Sequence, residues 1–291
     1  MKREALLIFA LVVATSLHAQ DLSVVYLEGV VQVRSGASWT ELQIGDAVPR
    51  ESAIRLQNGG SLQLKGTGAD FYLNRPGTYA IRDLVAARQK LSSKGVAGAL
   101  INSLRSLAFG RGTNQNAAGG ARAADKGKSE DDSWVESSAE VFLAAGREYI
   151  KGGKFDQAIA QLNEALDSAT GEEIPEIQYY LAEASSLNGD VRGAWKQIAD
   201  LRPGASDTWA GDFVLLKAKL LEDTSAYTEA VDWLKANDLS QDAQRGQLYL
   251  FLLGLGYRGA NQEVGATAAL GKVVAISAES DLGKAAGELL Q

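Results

Sequence analysis

Three chemically versatile residue types are almost missing from this 291-residue chain, which contains no cysteine, one histidine and one methionine. A chain without cysteine forms neither disulfides nor thiolate metal sites, and without histidine the common nucleophile and base arrangements are also excluded. His18 and Met1 both lie in an N-terminal segment whose pattern, described next, predicts its removal. The composition therefore argues against an enzyme and indicates neither a cofactor nor a metal.

The N-terminal segment, residues 1–19, has the pattern of a secretory signal peptide. Two basic residues precede an apolar run from Ala5 to about Leu17, and the small residue Ala19 stands before the expected cleavage point. The run is shorter than the roughly 20 residues that a membrane-spanning helix needs. The sequence therefore predicts export, with the protein in the periplasm or otherwise associated with the cell envelope.

Charge is divided unevenly along the chain, whose formal total is −7. Residues 21–83 carry 6 basic and 7 acidic side chains, residues 84–133 carry 8 and 4, and residues 134–291 carry 13 and 24. The last region is therefore at −11. Because binding to phosphates requires clustered Lys and Arg, this acidic region argues against nucleic acid as a partner.

Residues 134–291 contain apolar positions at helical spacing that recur with a fixed step. In the first copy, two helices are predicted around Tyr149 and Leu162, with a turn at Gly152-Gly153 between them. Small residues, which let two helices approach closely, recur every 36 residues in two independent series. The series are Gly146, Ala182, Ala218, Gly254 and Ala158, Ala194, Ala230, Ala266. This step predicts four helical hairpins and a further amphipathic helix over 280–290 that covers the last of them.

These copies resemble the tetratricopeptide family, whose pattern combines a large apolar residue, Leu-Gly, Tyr and Ala at fixed positions. The last copy restates the first, with Leu253-Gly254, Tyr257 and Ala266, whereas the third has Lys217 where a buried Leu is expected. The resemblance implies an all-α solenoid that holds a protein partner on its concave face. The step of 36 exceeds the family's usual 34 and implies longer turns between copies.

The resemblance also implies which residues line the concave face, namely the outward positions of the first helix of each pair. For Tyr179 and Phe251, packing against a neighbouring repeat is an equally good interpretation. The Lys and Asn set with which some family members hold a peptide carboxylate is missing, so that specificity is not implied. We name the predicted positions the inner-face set: Leu143, Arg147, Lys151, Tyr179, Glu183, Lys219, Phe251 and Arg258.

Residues 21–83 show short alternating apolar runs between turn residues, which is typical of a small all-β domain. The segments 27–33, 39–46 and 52–64 resemble the periplasmic FecR-like domain, which runs from a Gly-Val strand through Gly-Asp to a Gly-rich hairpin. Leu56 departs from that pattern, because the family usually has Thr at this place. Turns are predicted at Gly45-Asp46 and Asn58-Gly59-Gly60.

Residues 84–133 are predicted to link the two domains. The spacing of Val96, Leu100 and Leu104 predicts a basic amphipathic helix over 96–109, and the composition of 110–132 predicts disorder. Such a helix either lies on an anionic membrane surface, or it packs on one of the domains or pairs loosely with the acidic repeat region. Its few charges favour packing, so membrane contact is the less favoured of the two.

Together these features predict a multidomain α+β protein: a small all-β N-terminal domain, then an all-α tetratricopeptide solenoid. The expected function is that of an exported, non-enzymatic scaffold or adaptor, which binds a protein partner through the repeat array and has the β domain as a second contact. The alternative is a cell-envelope module whose β domain binds a glycan or peptidoglycan. Acidic pairs such as Glu172-Glu173 indicate a solvated surface, because adjacent residues on a helix do not face each other.

Overall fold

The computed structural model of the chain describes residues 21–66, 69–91, 94–110, 138–204 and 206–291. The predicted signal peptide and nearly all of the segment predicted to be disordered lie outside these residues. The chain divides into two compact units, of which the first extends to Val85 and the second contains Ala86–Gln291 together with Phe71–Leu73. No helix in the described ranges combines the length and hydrophobicity needed to cross a bilayer.

Eight antiparallel strands form two four-stranded sheets, with strand orders β4-β1-β6-β7 and β3-β2-β5-β8, and all of them belong to the first unit except for residues 71–73 of β7. Alternating side chains on both sheets are fully buried, among them Leu22, Ile54 and Leu64. This is the alternation that the sequence predicts for a small all-β domain. The strands are β1 (Leu22–Glu28), β2 (Val31–Ser35), β3 (Ser38–Glu41), β4 (Ala47–Val48), β5 (Ala53–Leu56), β6 (Ser61–Gly66), β7 (Ala69–Leu73) and β8 (Gly77–Ala80).

Both turns predicted in this unit are present. Gly45 has a φ of 95°, and the carboxylate of Asp46 accepts a hydrogen bond from the amide of Gln43 at 2.7 Å. Gly59 has a φ of 76°, and the next amide donates to the carbonyl of Gln57 at 2.9 Å. Glycine is needed at these two positions because a side chain would strain the left-handed backbone.

Eleven helices follow in the described part of the chain, and the last nine reproduce the predicted repeats. The four hairpins are α3–α4, α5–α6, α7–α8 and α9–α10, and α11 is the predicted final helix. The helices are α1 (Ile81–Leu91), α2 (Lys94–Gly110), α3 (Ser138–Lys151), α4 (Phe155–Ser168), α5 (Ile174–Leu187), α6 (Val191–Ile198), α7 (Ala210–Asp223), α8 (Tyr227–Ala236), α9 (Gly246–Gly259), α10 (Glu263–Ile276) and α11 (Asp281–Leu289).

In the first and last hairpins, a glycine on one helix lies in close contact with a leucine on the other. A Cβ atom added at Gly146 would lie 2.6 Å from Cγ of Leu162, and one at Gly254 would lie 2.7 Å from Cγ of Leu270. The large apolar residue at the position of Leu162 also recurs every 36 residues. All four of these residues are fully buried: Leu162, Ile198, Leu234 and Leu270. The period seen in the sequence is therefore the period of one packing contact between helices.

The first helices of the pairs form the inner layer of the array. They pack on one another as well as on the second helices, with contacts from α3 to α5, α5 to α7, α7 to α9 and α9 to α11. Most residues of α5, α7 and α9 are buried, whereas α4, α6 and α8 bury only one side. The inner layer is consequently well shielded from solvent.

Replacing Gly254 by Ala is expected to lower the free energy of unfolding by about 1–3 kcal/mol, because the added methyl group collides with the buried Leu270. Gly271 in α10 is the matched control, since a Cβ there meets no atom within 4 Å. Its replacement by Ala is expected to stabilise the protein by up to about 1 kcal/mol through helix propensity. Denaturant unfolding followed by circular dichroism measures both, and changes of the same sign would contradict the close contact.

Candidate functional site

The open part of the inner layer is a cleft of about 490 Å³ between α3 and the start of α5. Leu143 and Arg147 of the inner-face set are partly exposed there, and the guanidinium carbon of Arg147 lies 5.1 Å from the centre of the Tyr180 ring. Glu173, which the sequence predicts only as part of a solvated acidic pair, and Glu176, which it does not indicate, complete the rim at the start of α5. The lining residues are Ala139, Glu140, Leu143, Ala144, Arg147, Glu173, Glu176 and Ile177.

Lys151 of the inner-face set closes the C-terminal end of α3. Its ammonium group forms an ion pair with Glu148 at 2.5 Å, and only 14% of its side chain is exposed. The backbone carbonyl of Lys151 accepts a hydrogen bond from Arg105 of α2 at 2.8 Å. Lys151 is thus engaged within the chain rather than directed at an open groove.

Tyr179 and Phe251 are buried, so they do not line an open groove, and their burial agrees with the alternative that they pack against a neighbouring repeat. The ring of Tyr179 stacks on Trp209 with centroids 5.3 Å apart, and Trp209 makes an edge contact with Phe213. Phe251 is 0% exposed in α9. Both side chains stabilise the contact between consecutive repeats, because the inner helices lie close enough to exclude solvent.

The charged members Glu183, Lys219 and Arg258 are also withdrawn from solvent. Glu183 and Lys219 are buried in α5 and α7, and the ammonium group of Lys219 forms an ion pair with Asp223. The guanidinium of Arg258 donates to the backbone carbonyl of Leu289 in the last turn of α11. Glu183 and Lys219 are therefore too buried to line an open groove, whereas Arg258 keeps part of its side chain exposed.

Glu222 is a buried carboxylate of the inner layer whose pKa is strongly shifted. Burial raises the pKa of Glu222 well above its ordinary value of 4.5, and the adjacent Asp223 raises it further. Lys219 and the amide of Gly256 lower that pKa to a smaller extent. A carboxyl group in this environment favours its neutral form, which a polar but uncharged side chain can imitate.

Replacing Glu222 by Gln is therefore expected to make the protein less sensitive to rising pH. Because the pKa of Glu222 is higher in the folded than in the unfolded state, its contribution to stability is complete below about pH 4.5 and is lost as the pH rises through the folded-state pKa. We expect the variant to exceed the natural protein in stability at pH 7–8. Unfolding curves from pH 4 to pH 8 measure this, with the exposed Asp167→Asn as the control. Parallel pH profiles for the natural protein and the Gln variant would contradict it.

The position of α2 beside the inner layer was only partly expected from the sequence. The predicted helix over 96–109 exists, but it belongs to the same compact unit as the array and packs on both α3 and α11, the first and last inner helices. Val96, Ala99 and Leu104 are buried in one continuous apolar core with the repeats. Of the two alternatives left open by the sequence, packing on a domain is the one observed.

The outer face of the sheet β3-β2-β5-β8 is polar and carries one indole. Gln32 lies opposite both Glu41 and Arg55, and Arg34 lies opposite Trp39, so these side chains share the face turned away from the buried Ile54. The guanidinium carbon of Arg55 lies 4.0 Å from the centre of the Trp39 ring. This is the most distinctive polar surface of the first unit.

Within the ranges that the structure describes, no group of three or more acidic, His or Cys side chains is arranged to hold a metal ion. Glu222 lies in the buried inner layer beside the ion pair of Lys219 with Asp223, and the partly exposed Arg258 donates to the backbone carbonyl of Leu289.

No protein-family model and no curated protein matches this chain. A solved structure described as "MamA RS-1 ArsTM double mutant" is similar to it, with 21% sequence identity and a TM-score of 0.39. The match covers 52% of this chain and 90% of the other. A likeness at this level carries no conclusion about function, and the helical repeat region is defined by the helices and contacts described above.

Proposed function

We propose that this protein is an exported, non-enzymatic adaptor that binds a protein partner through the repeat array, with a FecR-like β domain as a second contact. The observation that carries the proposal is the cleft between α3 and α5. It combines accessible apolar side chains, Leu143 and Ala144, with a rim that carries both signs of charge. Such a mixture suits a protein segment, because apolar contacts supply affinity and the charged rim supplies specificity.

The test is capture of proteins from envelope extracts by the full chain and by two variants. Leu143→Asp places a charge in the cleft, whereas Gln157→Ala changes an exposed position on α4, outside the cleft. We expect a protein captured by the natural chain to be retained by the Gln157 variant and lost by the Leu143 variant, with circular dichroism showing that both are folded. Equal capture by the two variants would exclude the cleft as the binding site.

The polar sheet face around Trp39 favours a second candidate function, binding of a cell-wall glycan by the β domain. Indole rings commonly stack on the apolar faces of ring-shaped ligands, and the neighbouring Gln32 and Arg34 supply hydrogen-bond donors. Sedimentation of the full chain with purified peptidoglycan tests this, with Trp39→Ala as the variant and Trp233→Phe, in the repeat region, as the control. A natural chain that stays in the supernatant would reject this candidate.

A further inference from the structure

Helix α2 lies along the full length of α11 as an antiparallel partner. At the middle of α2, the side-chain amide of Asn102 donates to the carboxylate of Asp281 at 3.0 Å. Near its start, Gly95 faces Glu288 so closely that an added Cβ would lie 3.0 Å from Oε2. Seven residues separate the two contacts on each helix, so α2 follows α11 in register.

The same helix also holds the opposite end of the array. Arg105 donates to the carbonyl of Lys151, the last residue of α3, and its guanidinium packs against Gly153. A cation at this place is favoured by the partial negative charge of a helix C-terminus. Helix α2 thereby bridges the first and last inner helices through polar contacts at both and an apolar stripe between them.

Two features of α2 make its binding to α3 and α11 weaker than the covered surface would allow. The hydrogen bond from Arg105 to Lys151 favours the bridge, but its gain is partly offset because the Nε atom of Arg105 is buried without a hydrogen-bond partner. Gly98 reduces the stability of α2 as a helix although a Cβ there would meet no atom within 4 Å, so packing does not require a glycine. A helix of the same pattern without these two defects would bind the same surface more tightly.

We infer that the surface of α3 and α11 covered by α2 is a second binding surface of the array, and that it accepts a partner helix of the same chemistry as α2. Such a helix presents a stripe of Val, Ala and Leu and an Arg near its C-terminal end, and it binds by displacing α2. The inference rests on the proposed function only in taking the partner to be a protein. In the state described here, α2 occupies this surface within its own chain.

A fluorescent synthetic peptide of residues 94–110 is the probe, and its binding to the full chain is measured by fluorescence anisotropy. Arg105→Gln in the protein weakens the bridge without changing α3 or α11. We therefore expect the peptide to bind this variant about tenfold more tightly than it binds the natural chain. Gly98→Ala strengthens α2 without adding a contact, so we expect binding about fivefold weaker. Thermal unfolding by circular dichroism verifies that each variant is folded.

Because the chain has no cysteine, Asn102→Cys together with Asp281→Cys introduces a single pair of thiols for a cleavable bismaleimide crosslinker. Crosslinking within one chain is expected to abolish binding of the peptide, and cleavage of the crosslinker is expected to restore it. Crosslinks mainly between two chains, or peptide binding unaffected by the crosslink, would overturn the inference. These results do not depend on the cleft between α3 and α5. The peptide experiment can therefore fail while the capture experiment that tests the proposed function succeeds, and the reverse.

Discussion

Replacing Phe251 by Ala is expected to lower the free energy of unfolding by about 3–5 kcal/mol. The side chain is 0% exposed in α9, and its removal leaves a cavity that the surrounding inner helices fill only in part. Denaturant unfolding followed by circular dichroism measures the change. This result would establish Phe251 as a packing residue and not as a contact for a partner.

The matched control for Phe251 is Val264→Ala at the start of α10, a position that is 88% exposed. We expect its effect to stay within about 0.5 kcal/mol, which is usual for surface positions. An unchanged stability of the Phe251 variant, together with loss of a captured partner, would restore the interpretation that this residue lies on a binding surface.

Replacing Asp212 by Ala is expected to cost about 3 kcal/mol of unfolding free energy. Asp212 is 3% exposed at the start of α7, and its Oδ1 accepts a hydrogen bond from Nε of Arg245 at 2.6 Å. Removing the carboxylate leaves a guanidinium that is largely buried. The expected cost is at the lower end for broken buried pairs, because Arg245 keeps Asp242 as a second partner at 3.1 Å.

Glu279→Ala provides the control for the Asp212 variant. The ion pair of Glu279 with Lys284 spans 3.7 Å, and both side chains are mostly exposed. Exposed pairs contribute little, because water and salt screen the interaction. If the two variants were equally stable, the pair between Asp212 and Arg245 would not hold α7 to the start of α9.

The repeats could be predicted because their signal is local and periodic. Gly146 contacts Leu162 within the first hairpin, and Gly254, three steps of 36 residues later, makes the same contact with Leu270 in the last. The weak third copy also has a physical reason. Lys217, where a buried Leu was expected, is only partly buried, and its ammonium lies 4.3 Å from the centre of the Trp233 ring. The Lys stem and the indole thus replace an aliphatic contact.

Whether the residues of the inner face are exposed or buried could not be predicted from the same pattern. Helical spacing shows that Glu183 and Lys219 face inward, but it does not show how close the next helix lies. The position of α2 depends on Asn102 and Asp281, which are 179 residues apart, so no short sequence window contains both partners. The basic and apolar composition of α2 is compatible with lying on a membrane and with packing on a domain. Only the long-range contacts distinguish these alternatives.

The measurement that tests the account most directly is the distance between α2 and α11 in solution. Spin labels on Gly98→Cys and Gly287→Cys suit it, because a Cβ at either position meets no atom within 4 Å and the chain has no other cysteine. Since the axes of packed helices lie about 8–10 Å apart, dipolar electron spin resonance should give one short, narrow distance. A broad distribution of long distances in the labelled protein would contradict the conclusion that α2 packs along α11.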